Sequence, residues 1–311
     1  MRHKFVFIGG LHRSGTTLLF RILRDHPMIS GFNIENGAER EHEGQYLQSV
    51  FPPDPNYGGV GYFAFDDLAH LTQVSELVTE NNRVRLFGEW ALHWNLSKGY
   101  LLEKSPPNLI QTRFLQALFP NSYFIIIVRH PIATSLATLK WMGWPRYIIE
   151  PRVNRKSKKP DYNVRITTQD EIGLFQASRQ LYTESMLYSL LLHWKVSHHI
   201  FLHDTIFLNR FMMIRYEDLV ENPDRQMQTI CSFLNIPEFK SPTTKEITNQ
   251  NTPYFDQLKS LKESELSPGG RAFIEDSFQN DFQQFGYSLT ALNELGSCND
   301  IKLFGNKALK K

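Results

Sequence analysis

The feature that most constrains the fold of this chain is the segment from Phe5 to Leu19, FVFIGGLHRSGTTLL. Its first four residues are apolar, which is typical of a buried parallel strand. Two glycines at 9–10 follow, and they permit the sharp backbone turn that exposes N–H groups. The amphipathic run that comes next, ended by His26-Pro27, predicts a helix. A strand, a glycine turn and a helix N-terminus in this order can bind phosphate-like anions.

The spacing of this segment agrees with a P-loop only in its first half. Gly10 and Gly15 have the required separation. Thr16 and Thr17 stand where P-loop kinases and NTPases have Lys and then Ser or Thr. The cation of the segment is instead Arg13, inside the loop. Because the lysine that usually holds the β- and γ-phosphates is missing, the pattern favours a different anionic donor.

Length, composition and charge limit the class of protein. The chain has 311 residues, a formal net charge of +2 and two cysteines. These values exclude a disulfide framework and a zinc cluster, and they argue against a general binder of nucleic acid. The first strand begins close to Met1, and no apolar run approaches the ~20 residues that span a bilayer. We therefore expect a cytoplasmic protein without a signal peptide or an integral membrane segment.

The order of strand-like and helical runs predicts an α/β fold. Strand-like runs occur at 101–104, 123–128 and 211–216, and the first two enclose a helical run, which gives a βαβ unit of about thirty residues. We expect a P-loop NTPase-like, three-layer fold in which helices flank a central parallel sheet. Residues 1–290 should form one domain, and 291–311 a frayed basic tail.

Three local expectations accompany this fold. Asp66 or Asp67 should cap a helix that runs to about Val78. Ser105 should cap the helix of the βαβ unit. The basic run at 152–159, RVNRKSKK, is interpreted as a solvated loop rather than a dedicated anion contact.

The segment GLHRSGTTLL resembles the 5′-phosphosulfate loop of the sulfotransferases that use 3′-phosphoadenylyl sulfate (PAPS). Its Arg-Ser-Gly-Thr-Thr form is similar to the tyrosylprotein and bacterial branch rather than to the Lys-Ser-Gly-Thr-Thr cytosolic branch. The resemblance implies that the donor is bound by loop residues, namely Gly10, His12, Arg13, Ser14, Gly15, Thr16 and Thr17. It also implies that Arg13 takes part in the transfer itself.

The segment YFIIIVRHP at 123–131 resembles the family's strand that ends in an arginine on the donor's 3′-phosphate. The resemblance implies this role for Arg129. Physically, an arginine at the carboxyl end of a central strand faces the ligand crevice and can hold a phosphate through two hydrogen bonds. The family has a serine eight residues after the arginine, whereas this chain has Ala137 there. We therefore assign the hydroxyl contact to Ser135, with Thr138 nearby.

Two more segments strengthen the resemblance. MIRYEDLVENP at 213–223 is similar to the family segment whose tyrosine lies against the adenine, which implies this role for Tyr216. EKSPP at 103–107 is similar to the family's lysine-containing loop near the sulfuryl group. A lysine at a strand end beside the loop can neutralise charge that develops on the transferring group, and this residue is Lys104.

The base that removes the acceptor's proton has three candidates. Sulfuryl transfer to an alcohol needs such a group, and in the Arg-Ser-Gly-Thr-Thr branch it is a glutamate shortly after the first helix. Glu35 lies 22 residues after Arg13. Glu43 and His42, which are adjacent in the chain, compete with it.

Together these segments predict a PAPS-dependent sulfotransferase that needs no metal. It should transfer a sulfuryl group in line to a hydroxyl or, as a second choice, an amine of a carbohydrate, lipid, phenol or peptide. A P-loop small-molecule kinase is the alternative enzyme, but both its lysine and its Walker B aspartate are missing. A non-catalytic nucleotide-binding protein is the third possibility. The joint presence of Arg13, Lys104 and Arg129 argues against it.

Overall fold

The computed structural model of the protein describes residues 3–32, 43–142, 147–153, 160–166, 178–297 and 304–306. Within these residues, strands β1 to β8 span Lys4–Gly9, Ile29–Ser30, Tyr100–Lys104, Ser122–Val128, Tyr147–Val153, Pro160–Ile166, Arg210–Arg215 and Phe304–Asn306. Helices α1 to α9 span Thr16–Arg24, Glu80–Ala91, Asn108–Leu118, Pro131–Met142, Arg179–Asp204, Tyr216–Glu221, Pro223–Leu234, Thr252–Ser260 and Pro268–Gln283. No helix in these ranges is long and apolar enough to cross a bilayer.

Six of the strands form one sheet, in the order β2-β3-β1-β4-β7-β8. Neighbouring strands are parallel except for β7 and β8. Ile8 of β1 lies beside Lys104 of β3 on one side and Ile125 of β4 on the other. The carboxyl ends of these central strands therefore meet at one edge of the sheet. The predicted α/β fold with a central parallel sheet is confirmed, with the difference that the edge strand β8 is antiparallel to β7.

The side chains of β1 contribute to two separate apolar cores. Successive residues of a strand point to opposite faces, so Phe5 and Phe7 pack on one face while Val6 and Ile8 pack on the other. The first core also contains residues of α3, α5 and α9, and the second contains residues of α1 and α7. Helices thus cover both faces of the sheet, which is the predicted three-layer arrangement.

The helix predicted from Asp66 or Asp67 to Val78 is wrong. Asp66 accepts a hydrogen bond from the backbone of Leu68 but caps only a 3₁₀ turn at Asp67–Ala69. Further on, the hydroxyls of Thr72 and Ser75 accept backbone N–H groups two residues ahead, at 3.4 and 3.3 Å. Such local bonds compete with the helical pattern. The helix begins later, at Glu80, where Thr79 is the cap.

Ser105 does not cap α3, which begins at Asn108 directly after Pro107. Its hydroxyl instead donates to Glu103 Oε1 at 2.6 Å. This part of the prediction is wrong because the hydroxyl oxygen accepts the N–H of Gln45 at 3.1 Å instead of an N–H of the helix.

Two segments that the sequence assigned to loops contain strands. β5 and β6 form an antiparallel pair, and Arg152 at the start of the basic run lies in β5, whereas 154–159 fall outside the described residues. Within 291–311, the short β8 pairs with residues 210–212 of β7. The single domain over 1–290 stays a prediction.

Three histidines are buried in their neutral form. Burial lowers the pKa of His130 to about 4 and that of His198 to about 3, and it lowers the pKa of His193 well below its usual value. At His130, Nδ1 accepts the N–H of Ile132 at 3.2 Å while Nε2 donates to the carbonyl of Ser288 at 3.1 Å. A second proton on this ring would break the bond to Ile132. In the unfolded chain these rings bind protons near pH 6.5, so the folded state loses stability as the pH falls below that value.

We expect the free energy of unfolding to decrease as the pH is lowered from about 7 to 5, by up to about 1.4 kcal/mol per pH unit for each histidine. Glu103 opposes this trend, because burial raises its pKa to about 7. Its folded form therefore binds a proton at a higher pH than its unfolded form, which stabilises the fold as the pH falls. Urea titrations across this range test the expectation. His198→Gln should make the slope shallower by up to about 1.4 kcal/mol per pH unit, and an unchanged slope would contradict the expectation.

Candidate active site

The loop after β1 has an unusual backbone at three positions. Gly10, Arg13 and Gly15 have φ values of 154°, 67° and 103°, in a region that glycine tolerates and other residues rarely adopt. A Cβ on Gly10 would lie 2.5 Å from the carbonyl oxygen of Ile127, and one on Gly15 would lie 2.7 Å from the ring of Tyr216. Both glycines are therefore required by conformation and by space. The turn delivers the chain into α1, whose first residue is Thr16.

The hydroxyl of Ser14 lies inside this loop without a partner. The residue is 1% exposed, and its Oγ has no hydrogen bond within the described part of the chain. A buried hydroxyl without a partner costs free energy. The first turn of α1 carries no acidic residue, so the positive end of the helix is not neutralised. An orphaned donor at a helix N-terminus fits an anion that would accept from it.

Arg129, at the end of β4, connects the loop to a distant segment. Its Nη1 donates to the carbonyl of Arg13 at 2.7 Å, Nε donates to Asn251 Oδ1 at 2.7 Å, and Nη2 donates to the carbonyl of Gln250 at 2.9 Å. The guanidinium carbon lies 4.5 Å from the centre of the Tyr216 ring. Burial lowers the pKa of Arg129. The arginine thus supports the left-handed backbone of Arg13 and holds residues 250–251 over the loop.

Asn251 is in turn fixed by a buried carboxylate. Its Nδ2 donates to Glu217 Oε1 at 2.6 Å, and the same oxygen accepts the N–H of His130 at 2.9 Å. The other oxygen of Glu217 accepts the hydroxyl of Tyr287 at 2.8 Å. This network sets the orientation of Arg129. Sequence reasoning missed Asn251 because it lies in a polar stretch without periodicity.

A cavity of about 410 Å³ opens beside these groups. It is lined by predicted site residues, namely Arg13, Gly15, Thr16, Thr17, Arg129 and Tyr216. Leu18, Arg21, Ile247, Thr248 and Gln250 complete the lining. Arg21 was missed by sequence reasoning, although its place one helical turn after Thr17 was a usable signal. The cavity combines three guanidinium groups with an aromatic ring, which suits an anionic nucleotide.

The larger cavity lies elsewhere and contains none of the predicted site residues. It measures about 890 Å³ and lies between β7, α7 and Phe304 of β8. We place the site at the smaller cavity, because the glycine loop and two predicted donor contacts, Arg129 and Tyr216, line it.

Ser135 is 2% exposed with no hydrogen-bond partner for Oγ among the described residues, and it does not line the smaller cavity. Its contact with a 3′-phosphate stays a prediction.

Lys104 and Glu43 form a buried ion pair at the same edge of the sheet. Lys104 Nζ donates to Glu43 Oε1 at 2.8 Å, and Gln45 Nε2 donates to Glu43 Oε2 at 2.7 Å. Lys104 is 1% exposed and pairs in register with Ile8, two residues before the glycine loop. The structure thus brings one candidate base and the candidate charge stabiliser together. Glu35 and His42, the other candidates, lie outside the described residues.

The segment after Glu43 also contacts the glycine loop. His12 Nε2 lies 3.3 Å from Asp54 Oδ2, and the hydroxyl of Tyr46 donates to Asp54 Oδ1 at 2.7 Å. The N–H of Asp54 donates to Gln45 Oε1 at 2.9 Å, which closes the connection to Glu43. His12 therefore faces this segment.

Across the described ranges, no group of three or more His, Cys, Asp or Glu side chains could hold a metal ion.

Comparisons with known proteins identify the family of this chain. The model of the sulfotransferase family matches residues 6–148 and 163–241. A curated relative, the "Putative protein-tyrosine sulfotransferase" of Caenorhabditis briggsae, is 26% identical over 236 residues, which are 75% of this chain and 66% of the relative. The matched part thus spans just under two thirds of that relative's length.

Two solved structures are similar over most of this chain. The sulfotransferase STF9 from Mycobacterium avium has a TM-score of 0.50 at 13% identity, and the match covers 98% of this chain and 79% of the STF9 chain. The sulfotransferase STF1 from Mycobacterium tuberculosis has a TM-score of 0.47 at 12% identity, with coverages of 90% and 77%. At such identities the first of these similarities supports the fold alone.

We expect Gly15→Ala to destabilise the loop by about 1–3 kcal/mol, because the new Cβ meets the Tyr216 ring at a strained φ. Binding of 3′,5′-adenosine bisphosphate should weaken with it. Gly88→Ala is the matched control, since Gly88 lies inside α2 and its Cβ would meet nothing within 4 Å. That substitution should stabilise the protein by about 0.5–1 kcal/mol. Thermal unfolding and calorimetric titration measure both effects, and equal behaviour of the two variants would contradict the assignment.

Proposed function

The chain belongs to the sulfotransferase family, and from this membership we propose that it transfers a sulfuryl group from PAPS to an acceptor hydroxyl. The observation that carries the proposal is the position of two groups at the same edge of the sheet, at the ends of neighbouring strands. The glycine loop with Arg13 and Arg129 forms an anion cradle, and the buried pair of Lys104 and Glu43 lies at the end of the neighbouring strand.

The cradle would hold the donor through its anionic groups. The loop N–H groups, the Ser14 hydroxyl and Arg13 would bind the 5′-phosphosulfate. Arg129 would bind the 3′-phosphate, because a guanidinium has five N–H donors and three of these are used on Asn251, Arg13 and Gln250. Arg21, on the same wall, adds a second cation for that phosphate. Tyr216 would lie against the adenine.

The transfer would occur in one in-line step. Glu43 takes the proton of the acceptor hydroxyl, whose oxygen forms a bond to sulfur while the bond from sulfur to the bridging oxygen breaks. The products are a sulfate ester and 3′,5′-adenosine bisphosphate. Lys104 neutralises charge on the bridging oxygen as that bond breaks. We assign this neutralisation to Lys104 and Arg13 rather than to a metal ion, because the chain lacks the P-loop lysine and the Walker B aspartate of magnesium-dependent kinases.

A tyrosine hydroxyl of a peptide is the first acceptor to test, because the curated relative is named a protein-tyrosine sulfotransferase. Carbohydrate, lipid and phenol hydroxyls follow. Incubation of the purified chain with ³⁵S-labelled PAPS and this panel tests the proposal, and no labelled product with any acceptor would contradict it. Magnesium-dependent ATP binding would favour a kinase. The cytoplasmic location expected from the sequence is part of the same proposal.

We expect Glu43→Gln and Lys104→Met each to lower kcat by about 10²–10³-fold while donor affinity stays nearly constant. Each group would act mainly on charge that develops during transfer. Lys98→Met is the matched control, because the Lys98 ammonium donates to the carbonyl of Ile29 at 2.9 Å and does not line the cavity. Single-turnover kinetics and titration with 3′,5′-adenosine bisphosphate separate the two parameters. Normal turnover in Glu43→Gln would move the base to Glu35 or His42.

We expect Arg129→Ala to weaken the binding of 3′,5′-adenosine bisphosphate more than the binding of 5′-adenylate. Both should lose affinity, since Arg129 also supports the Arg13 backbone, but a charge-assisted bond to the 3′-phosphate adds about ten- to a hundredfold. Arg113→Ala is the control, because Arg113 pairs with Asp204 at 3.2 Å and does not line the cavity. Equal losses for the two nucleotides would show that Arg129 does not read the 3′-phosphate.

A further inference from the structure

Next to the pair of Glu43 and Lys104 lies a second carboxylate that the proposed chemistry does not use. Glu103 is 1% exposed and is the residue before Lys104 in β3. Since successive strand residues point to opposite faces, the two side chains leave the strand on opposite sides. The segment 43–45 spans the strand end between them, with Glu43 on Lys104 and Gly44 on Glu103.

One oxygen of Glu103 anchors both peptide groups that follow Glu43. Its Oε1 accepts the N–H of Gly44 at 2.9 Å and the hydroxyl of Ser105 at 2.6 Å. The Ser105 oxygen in turn accepts the N–H of Gln45 at 3.1 Å. Gln45 then holds the Glu43 carboxylate with its side chain. The backbone and the side chain of the candidate base are thus fixed by one connected network.

The contact at Gly44 leaves no room for a side chain. A Cβ there would lie 2.5 Å from Glu103 Cγ and 2.6 Å from its Oε1. Gly44 does not have a positive φ angle. The glycine is therefore required by the contact with Glu103 and not by the backbone conformation. Trp90 Nε1 adds another anchor by donating to the Gly44 carbonyl at 3.0 Å.

We propose that Glu103 is a positioning residue for the transfer, which holds the Gly44–Gln45 backbone so that the Glu43 carboxylate stays against Lys104. It acts through Glu43 and does not touch a substrate. This inference rests on the proposed function. Burial raises the pKa of Glu103 to about 7, so the ionised group costs free energy in the fold. Three hydrogen-bond donors offset this cost, from Gly44, Ser105 and Asn108.

Glu103→Gln tests the proposal because it keeps the shape of the side chain but turns an acceptor oxygen into a donor. We expect kcat to fall about 10²-fold, the effect of a misplaced catalytic group, while donor affinity changes less than about threefold. The decisive measurement is a double-mutant cycle with Glu43→Gln. If Glu103 acts through Glu43, the second substitution causes no further loss of kcat. Fully additive losses would overturn the proposal.

Two further variants separate positioning from general destabilisation. Asp204→Asn is the matched control, because Asp204 is an equally buried carboxylate that binds His70 and Arg113. It should lower stability and leave kcat unchanged. Gly44→Ala disrupts the contact between Gly44 and Glu103 by adding a Cβ to residue 44, and it leaves the Glu103 side chain unchanged. It should reproduce the loss of kcat, and normal turnover in this variant would also overturn the proposal.

Hydrogen exchange gives a readout that does not depend on transfer. In Glu103→Gln, the amides of Gly44 and Gln45 should exchange faster, while those of β1 stay protected. Unchanged protection at 44–45 would overturn the inference whatever the activity. A wild-type protein that transfers no sulfuryl group to any acceptor would instead contradict the proposed function. The two failures are therefore distinguishable.

Discussion

The burial of Lys104 is the constraint on which this edge of the structure depends. An ammonium group at 1% exposure remains acceptable in a fold only when it is paired and hydrogen-bonded. Its partner, Glu43, comes from an irregular segment far away in the chain, so the end of β3 is completed only when that segment docks. Once docked, the segment reaches the glycine loop through Asp54 and His12. One ion pair thus couples the sheet, the docked segment and the anion cradle.

The donor side of the site is held by a second buried cation in a similar way. Arg129 supports the strained backbone of Arg13 and orders the segment around Asn251. Because the same guanidinium supports the loop and lines the cavity, a single affinity cannot separate its structural role from the binding role that we propose. A ratio between two nucleotides that differ only in the 3′-phosphate removes the structural part. For Lys104, a comparison of kcat with donor affinity separates the effect on transfer from the effect on donor binding.

The sequence predicted what is encoded locally and missed what depends on distant contacts. The strand runs near 5–8 and 123–128 are dense in apolar and β-branched residues, and the glycine loop has a fixed spacing, so both were predictable. The helix predicted from Asp66 or Asp67 to Val78 does not form, because side-chain bonds of Thr72 and Ser75 compete with the helical pattern there, and the helix at 80–91 was not predicted. Asn251 contacts Arg129 across 122 residues of chain, and no periodic pattern reveals such a pair. The pairing of Glu43 with Lys104 across 61 residues of chain is of the same kind, and the choice among Glu35, Glu43 and His42 stays a prediction.

Three buried carboxylates, Glu43, Glu103 and Glu217, differ in the hydrogen bonds that they accept. Glu103 and Glu217 each accept three bonds from neutral donors of the protein, two on one oxygen and one on the other. Among the described residues, Glu43 accepts two, one on each oxygen, from Lys104 and Gln45. A carboxylate offers about four lone-pair sites, so each oxygen of Glu43 keeps capacity for a further donor. Its side chain is also 11% exposed, beside the loop that would hold the donor. Among the described residues, Glu43 thus keeps more capacity for an outside donor than the other two, which hold the backbone of Gly44 and the side chain of Asn251. Our proposal of Glu43 as the base requires such capacity.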